Sequence, residues 1–212
     1  MARYAAIDCG TNSLRLLISE DNHGRPREIV RLMEIVRLGQ GVDATGEFAP
    51  EALERTRKVL TKYVDLMQQE RVQDVRMVAT SATRDARNKD EFFAMTAELL
   101  GQIRPGACAQ VITGEEEAKL SFIGAVAYLS KEQGPFCVID LGGGSTEFVV
   151  GVADGQLLGS YSSQMGCVRI SERIMRSDPP TPEEVEAARQ YVAERLAEVQ
   201  EIVPIASAKT FV

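Results

Sequence analysis

The sequence predicts an α/β protein built from one domain written twice, each copy a mixed β-sheet with helices on both faces, the second copy incomplete. Three observations predict it. A strand–glycine turn–strand segment occurs twice, a proline-started helix recurs at the same spacing, and strands alternate with helices after a three-strand opening. That order of elements implies a sheet with helices layered on it.

The first recurrence sets Ala6-Ile7-Asp8-Cys9-Gly10-Thr11-Asn12-Ser13 against Val138-Ile139-Asp140-Leu141-Gly142-Gly143-Gly144-Ser145, an offset of 132 residues. Apolar runs follow both, Leu14–Ile18 and Thr146–Val150, so each copy reads as strand, turn, strand. Pro50 and Pro182 keep the same offset, each followed by an acid, a sound signal for a helix start. Apolar positions then recur at helical spacing: Leu53, Val59, Leu60, Tyr63, Leu66 and Met67 in one helix, Val185, Tyr191, Val192, Leu196 and Val199 in the other.

The first copy fills in as strands over 3–9, 13–20 and 27–37, the Pro50 helix, a strand at Val75–Ala79, and a helix near Asp90–Leu100. A strand at Cys108–Ile112 and a helix at Glu115–Leu129 complete it. This order matches the ribonuclease-H-like half of the actin, hexokinase and Hsp70 ATPases, which sets a fold expectation and no more. The second copy repeats the strands and the long helix, then stops at Ala208–Val212, where the first has Val75–Ala79. Counterparts of Thr80–Leu129 do not follow. The chain therefore reads as a fragment, with a first actin-like domain over 1–130 and the N-terminal part of a second over 131–212.

Composition narrows the function classes. The chain has 212 residues, 44% of them hydrophobic and 26% charged, with a net charge of −7. Those proportions are ordinary for a soluble protein. No apolar run approaches the roughly 20 residues of a membrane span, and Met1–Tyr4 enters a strand without a signal-peptide pattern. The expectation is a cytoplasmic protein with no membrane partner. The acidic balance argues against nucleic acid as a partner. It leaves room for a polyanion held by backbone amides, a few arginines and metal ions. Cys9, Cys108, Cys137 and Cys167 show no close pairing and read as free, buried thiols. The lone histidine, His23, falls in a hairpin-turn sequence as a solvated residue, so a histidine mechanism is not expected.

Glycines permit positive φ and close backbone approach, so both turns are candidate phosphate cradles, with Gly142-Gly143-Gly144 the stronger. Asp8 and Asp140 end the strands before them, a placement suited to a magnesium ion carried on phosphate oxygens. Glu147 alternates with Phe148 and faces either solvent or a cleft. Thr80-Ser81-Ala82-Thr83-Arg84 begins at the ligand-facing edge of the sheet, with Arg84 as a fork-shaped donor. The acids of Thr113-Gly114-Glu115-Glu116-Glu117-Ala118 open a helix, where they also suit its dipole.

Taken in order, Ile7–Ser13, Ala79–Arg84, Ile112–Ala118, Ile139–Glu147 and Gln164-Met165-Gly166-Cys167-Val168-Arg169 resemble the exopolyphosphatase and guanosine pentaphosphate phosphohydrolase family. The resemblance spans nearly the whole chain. It implies a fold of the acetate and sugar kinase, Hsp70 and actin type and magnesium-dependent (or manganese-dependent) removal of terminal phosphate. It implies Glu117 as catalytic base, with Glu116 the alternative in a run of three acids. Asp140 and Glu147 are the implied metal residues, and Asp8 joins them by its place at the end of its strand. Thr11, Asn12, Ser13, Arg84, Gly143, Gly144, Ser145 and Thr146 are the implied phosphate-binding residues. The expected partner is polyphosphate or guanosine pentaphosphate, with room for a homodimer. Two rival readings stand beside it: a phosphotransferase of the same superfold, and a non-catalytic alarmone or polyphosphate sensor.

Overall fold

The computed structural model describes residues 2–22 and 24–212; His23, expected in a solvated turn, lies outside them. The chain divides into two compact units, Met1–Ile112 and Thr113–Val212.

The first unit opens with the antiparallel strands β1 (Arg3–Cys9), β2 (Ser13–Asn22) and β3 (Arg25–Ile35). β3 stops at Ile35, two residues short of expectation. There the amides of Val36 and Arg37 leave the ladder to bond the Asn12 carbonyl, and Arg37 takes a φ of 50°. A single helical turn, α1 (Val42–Thr45), precedes α2 (Pro50–Gln69). Pro50 suits the first helical turn because its missing N–H would lack an intrahelical partner anyway. Ala52, Thr56, Leu60, Tyr63, Val64 and Met67 form the buried stripe of α2. The Tyr63 hydroxyl donates to the Leu14 carbonyl at 2.9 Å, and burial pushes its pKa up to about 12. β4 (Asp74–Ala79), α3 (Ser81–Asp85), α4 (Lys89–Leu100) and β5 (Ala109–Val111) follow. The sheet order is β3-β2-β1-β4-β5, with β4 and β5 parallel to β1. α2 and α4 share the core against Ala5, Ile7, Cys9, Leu14, Leu16 and Ile18; Tyr4 and Ala6, which alternate with these, are exposed.

The second unit begins with α5 (Gly114–Val126) and continues through β6 (Phe136–Leu141), β7 (Thr146–Gly151) and β8 (Leu157–Ser163). α6 (Cys167–Arg173), α7 (Pro182–Ile202) and β9 (Thr210–Phe211) complete it. Thr181 and Glu184 close a capping box on α7, which fixes where that helix starts. The sheet order, β8-β7-β6-β9, repeats the first four strands of the other sheet, with β9 parallel to β6. Helices cover both faces. Ala118, Phe122 and Val126 of α5 pack on Phe136, Val138 and Val149; α7 packs on the face of Cys137, Phe148 and Val150.

α5 lies in the compact unit Thr113–Val212. Its apolar stripe decides this, because all three buried residues face β6 and β7. Three short helices, α1, α3 and α6, carry no periodicity long enough to be read from sequence.

All four cysteines are free; Cys9 and Cys137 are buried as expected, while Cys108 and Cys167 are exposed. Burial raises both the Cys9 and Cys137 thiols above their ordinary range, with the Asp8 charge adding at Cys9. Only thiolate attacks alkylating reagents. Iodoacetamide at pH 8 is expected to modify Cys108 and Cys167 of the native protein and to spare Cys9 and Cys137. Peptide mass spectrometry reads the outcome, and labelling of Cys9 without unfolding would contradict the packing.

Candidate active site

The two glycine turns are built alike. In the first, the Gly10 amide donates to the Ser13 carbonyl at 3.0 Å; in the second, the Gly142 amide donates to the Ser145 carbonyl at 3.0 Å. Each is held from behind by the segment that follows its third strand. The Thr11 carbonyl accepts from Gly39, and the Asn12 carbonyl from Val36 and Arg37, at 2.8–2.9 Å. In the second turn the Gly142 carbonyl accepts from the Cys167 amide at 3.0 Å, and the Gly143 carbonyl from Val168 and Arg169 at 2.9 and 3.1 Å. The Gly144 carbonyl takes the Gly166 amide at 3.3 Å and Nε of the buried Arg169 at 2.8 Å.

Those bonds orient the amides. Across a trans peptide the N–H points opposite to the preceding C=O. With the carbonyls of 142, 143 and 144 turned to α6, the amides of Gly143, Gly144 and Ser145 point away from it as a row of donors. The same reasoning turns the Asn12 and Ser13 amides away from 36–39. Successive amides of this kind make an anion cradle. Gly10 and Gly142 do not need positive φ here; a Cβ at Gly142 would come within 2.8 Å of the Ser145 carbonyl oxygen. Close approach, and not handedness, requires glycine at 142.

Gly166 is more constrained. A Cβ there would lie 2.1 Å from the Gly143 carbonyl oxygen and 2.4 Å from the Gly144 amide nitrogen. Both are backbone atoms of the cradle and have little room to yield. Gly166→Ala is expected to destabilise the protein by at least about 2 kcal/mol. Urea unfolding checks it, and an unchanged midpoint would show that the cradle has room for a methyl group.

At the foot of the second turn, Asp140 and Glu147 face each other directly across β6 and β7. Opposed cross-strand side chains have Cβ atoms about 4.5–5.5 Å apart on one face. The Ser121 hydroxyl of α5 donates to Asp140 Oδ2. Glu147 is 2% exposed, and its Oε1 accepts from Ser145 Oγ and from Ser162 Oγ of β8, each at 2.7 Å. Glu147, expected in solvent or in a cleft, is not in solvent: it is a buried carboxylate held by two hydroxyls. In the first turn the corresponding pair is Asp8 and Arg15, an ion pair at 3.4 Å. The same position of the repeat thus carries an acid and a base in one unit and two acids in the other.

Thr113 caps α5, its Oγ1 accepting the Glu116 amide at 3.1 Å. Glu115 and Glu116 are exposed, and Glu117 is half-buried. Glu117 precedes Ser121 by one turn, so the two share a helix face, and Ser121 reaches Asp140. That face puts Glu117, rather than Glu116, on the side of the carboxylate pair.

Thr11 is buried beneath Gly39, while Asn12 and Ser13 are half-buried in the turn. Arg84 Nη1 donates to the Ile112 carbonyl at 2.9 Å, tying the end of α3 to the residue that follows β5. The Thr146 hydroxyl is committed to the Met165 carbonyl at 2.8 Å and the Ser145 hydroxyl to Glu147, so at these two positions the side chains serve the scaffold. Ser121 and Ser162 were missed by sequence reasoning. The i, i+4 spacing from Glu117 points to Ser121; nothing short of the β7–β8 register points to Ser162.

The donor set fits a hard divalent cation. It is oxygen only, with two carboxylates on one face beside an anion cradle. Among the described residues no group of three or more His, Cys, Asp or Glu side chains could hold a metal ion. Asp140 and Glu147 are the residues that would hold the cation.

Known proteins resemble this chain over its length. The profile of the Ppx/GppA phosphatase family matches residues 17–212. Exopolyphosphatase 2 of Mycobacterium tuberculosis is 55% identical over 216 residues, a stretch that covers all of this chain and 67% of that protein. The crystal structure of an exopolyphosphatase-like protein superposes with a TM-score of 0.88 at 39% identity, covering 99% of this chain and 65% of the other. The Aquifex aeolicus member of the Ppx/GppA family gives 0.72 at 34% identity, over 93% of this chain and 62% of its own. An exopolyphosphatase from Cytophaga hutchinsonii gives 0.83 at 29%, over 94% and 62%. The chain thus spans about two thirds of the length of these relatives. No helix among the described residues is long and apolar enough to cross a membrane.

Proposed function

The chain belongs to the Ppx/GppA phosphatase family, and on that premise we propose that the protein removes terminal orthophosphate from inorganic polyphosphate. The observation that carries this reading is the Asp140–Glu147 carboxylate pair at the foot of a glycine cradle, with the acidic start of α5 on the same side.

The residues divide the work. The amides of Gly143, Gly144 and Ser145 receive phosphate oxygens as fixed dipoles that need no reorganisation. The Asn12 and Ser13 amides form a second cradle of the same construction. Magnesium or manganese at Asp140 and Glu147 supplies neutralising charge when bound. Glu117 takes a proton from water as its oxygen bonds to the terminal phosphorus. The bridging P–O bond breaks, its electron pair leaves with the shortened chain, and orthophosphate carries the new oxygen. None of these steps uses a histidine or a cysteine.

Guanosine pentaphosphate presents the same terminal phosphoanhydride-linked group, so hydrolysis of that nucleotide belongs to the same proposal, as does action in the cytoplasm. Orthophosphate release from polyphosphate and from guanosine pentaphosphate by the intact protein, with and without magnesium, tests it. Transfer of the phosphoryl group to acetate or a sugar in preference to water would replace the hydrolase by the phosphotransferase reading. Binding of either compound without turnover would replace it by a sensor.

A further inference from the structure

Ser162 stands in a polar row that crosses the second sheet. The register pairs Asp140 with Glu147 and Glu147 with Ser162, so all three lie side by side on one face of β6, β7 and β8. In the first sheet the same row is Asp8, Arg15 and Met33, and Met33 is exposed. The strand meander therefore forms without a hydroxyl at this point. A serine where the other copy accepts a methionine needs an explanation beyond the fold.

Its hydrogen bond supplies one. Oε1 of Glu147 accepts two hydroxyl protons, from Ser145 and from Ser162, at 2.7 Å each. Two donors fill the lone-pair positions of a single carboxylate oxygen and thereby fix the plane of a side chain that otherwise has three torsions free. Ser145 lies two residues along and moves with the glycine turn. Ser162 comes from the neighbouring strand and ties the carboxylate to the sheet. Ser162 also seats the helix that carries Glu117. A Cβ on Gly114, the first residue of α5, would lie 2.8 Å from the Ser162 Cβ and 3.0 Å from its Oγ. Only a residue without a side chain lets the helix begin there.

We propose that Ser162 is a positioning residue that orients Glu147 for the divalent cation, an inference that rests on reading Asp140 and Glu147 as the cation site. Outer-shell hydrogen bonds to ligating groups change metal affinity by about 10–100-fold. The test is Mn2+ titration followed by electron paramagnetic resonance, using the intact protein with inorganic phosphate present, on wild type and Ser162→Ala. The expected result is at least a tenfold weaker apparent Mn2+ affinity in the variant. The Mn2+ concentration for half-maximal phosphate release should rise by the same factor, with the polyphosphate KM at saturating metal unchanged. A folded Ser162→Ala protein that binds Mn2+ as wild type does overturns the role of Ser162 and leaves the cation site standing. Wild type that binds no Mn2+ yet hydrolyses polyphosphate overturns both. Should Ser162→Ala fail to fold, Ser162→Cys keeps the shape of the side chain with a weaker donor, and the same titration decides.

Discussion

Glu117→Gln is expected to lower kcat for orthophosphate release by about 100-fold or more, as loss of a general base does. KM should stay close to wild type, since glutamine keeps the length and polarity of the side chain and the phosphate cradles are untouched. Glu116→Gln serves as the control. Glu116 is exposed and off the Ser121 face, whereas Glu117 is half-buried and one turn from Ser121, so the Glu116 change should cost less than about threefold. Steady-state kinetics on both variants decides the register of the three acids. A crippled Glu116→Gln beside a mild Glu117→Gln would move the base by one residue and require α5 to turn about its axis.

Asp140→Asn is expected to cut kcat/KM by at least about 100-fold, because the charge that would hold the cation is removed while the shape is kept. Chelation of wild type should abolish activity, with Mg2+ or Mn2+ restoring it and Zn2+ failing to, as an all-oxygen donor set favours hard ions. The effect at Asp8 should be smaller. Its carboxylate already faces Arg15 at 3.4 Å, so Asp8→Asn removes one half of an exposed ion pair and leaves the second-unit carboxylates intact. Full activity after exhaustive chelation would remove the cation from the mechanism.

Much of the fold was legible because a duplication leaves its own evidence. The offset between Asp8 and Asp140 recurs between Pro50 and Pro182, and the structure places β1 and β6, and α2 and α7, at those positions. Backbone detail follows suit, down to the paired bonds from Gly10 to Ser13 and from Gly142 to Ser145. What stayed hidden depends on contacts between elements. A helix at Glu115–Leu129 was readable, but not which sheet it covers, since Ala118, Phe122 and Val126 suit any apolar face. Glu147 read as an exposed or cleft residue because alternation gives a side and not a neighbour. Its carboxylate is buried and bonded to Ser162, a strand away. Ser145 and Thr146 were read only as phosphate-binding residues, and the bonds of their hydroxyls to Glu147 and to the Met165 carbonyl appear only in the tertiary structure.

The sheet topology also sets an order of assembly. In each unit the meander is local: β1 meets β2, and β6 meets β7, across a turn of a few residues. The parallel partner arrives from far along the chain, Tyr4 meeting Asp74 and Phe136 meeting Thr210. Hairpins close in about 1–10 μs, whereas distant pairings carry the loop-closure entropy that slows folding. Each unit should therefore assemble its turn and carboxylate strands early, and acquire the parallel strand only after α2 or α7 has formed and packed. β9 has two residues in its ladder, and backbone bonds from the Val212 amide to the Cys137 carbonyl and from the Ile139 amide to the Val212 carbonyl extend its hold on β6. Transient opening should follow the reverse path, so amides of β9 are the ones that exchange with solvent while those of β6 and β7 remain protected.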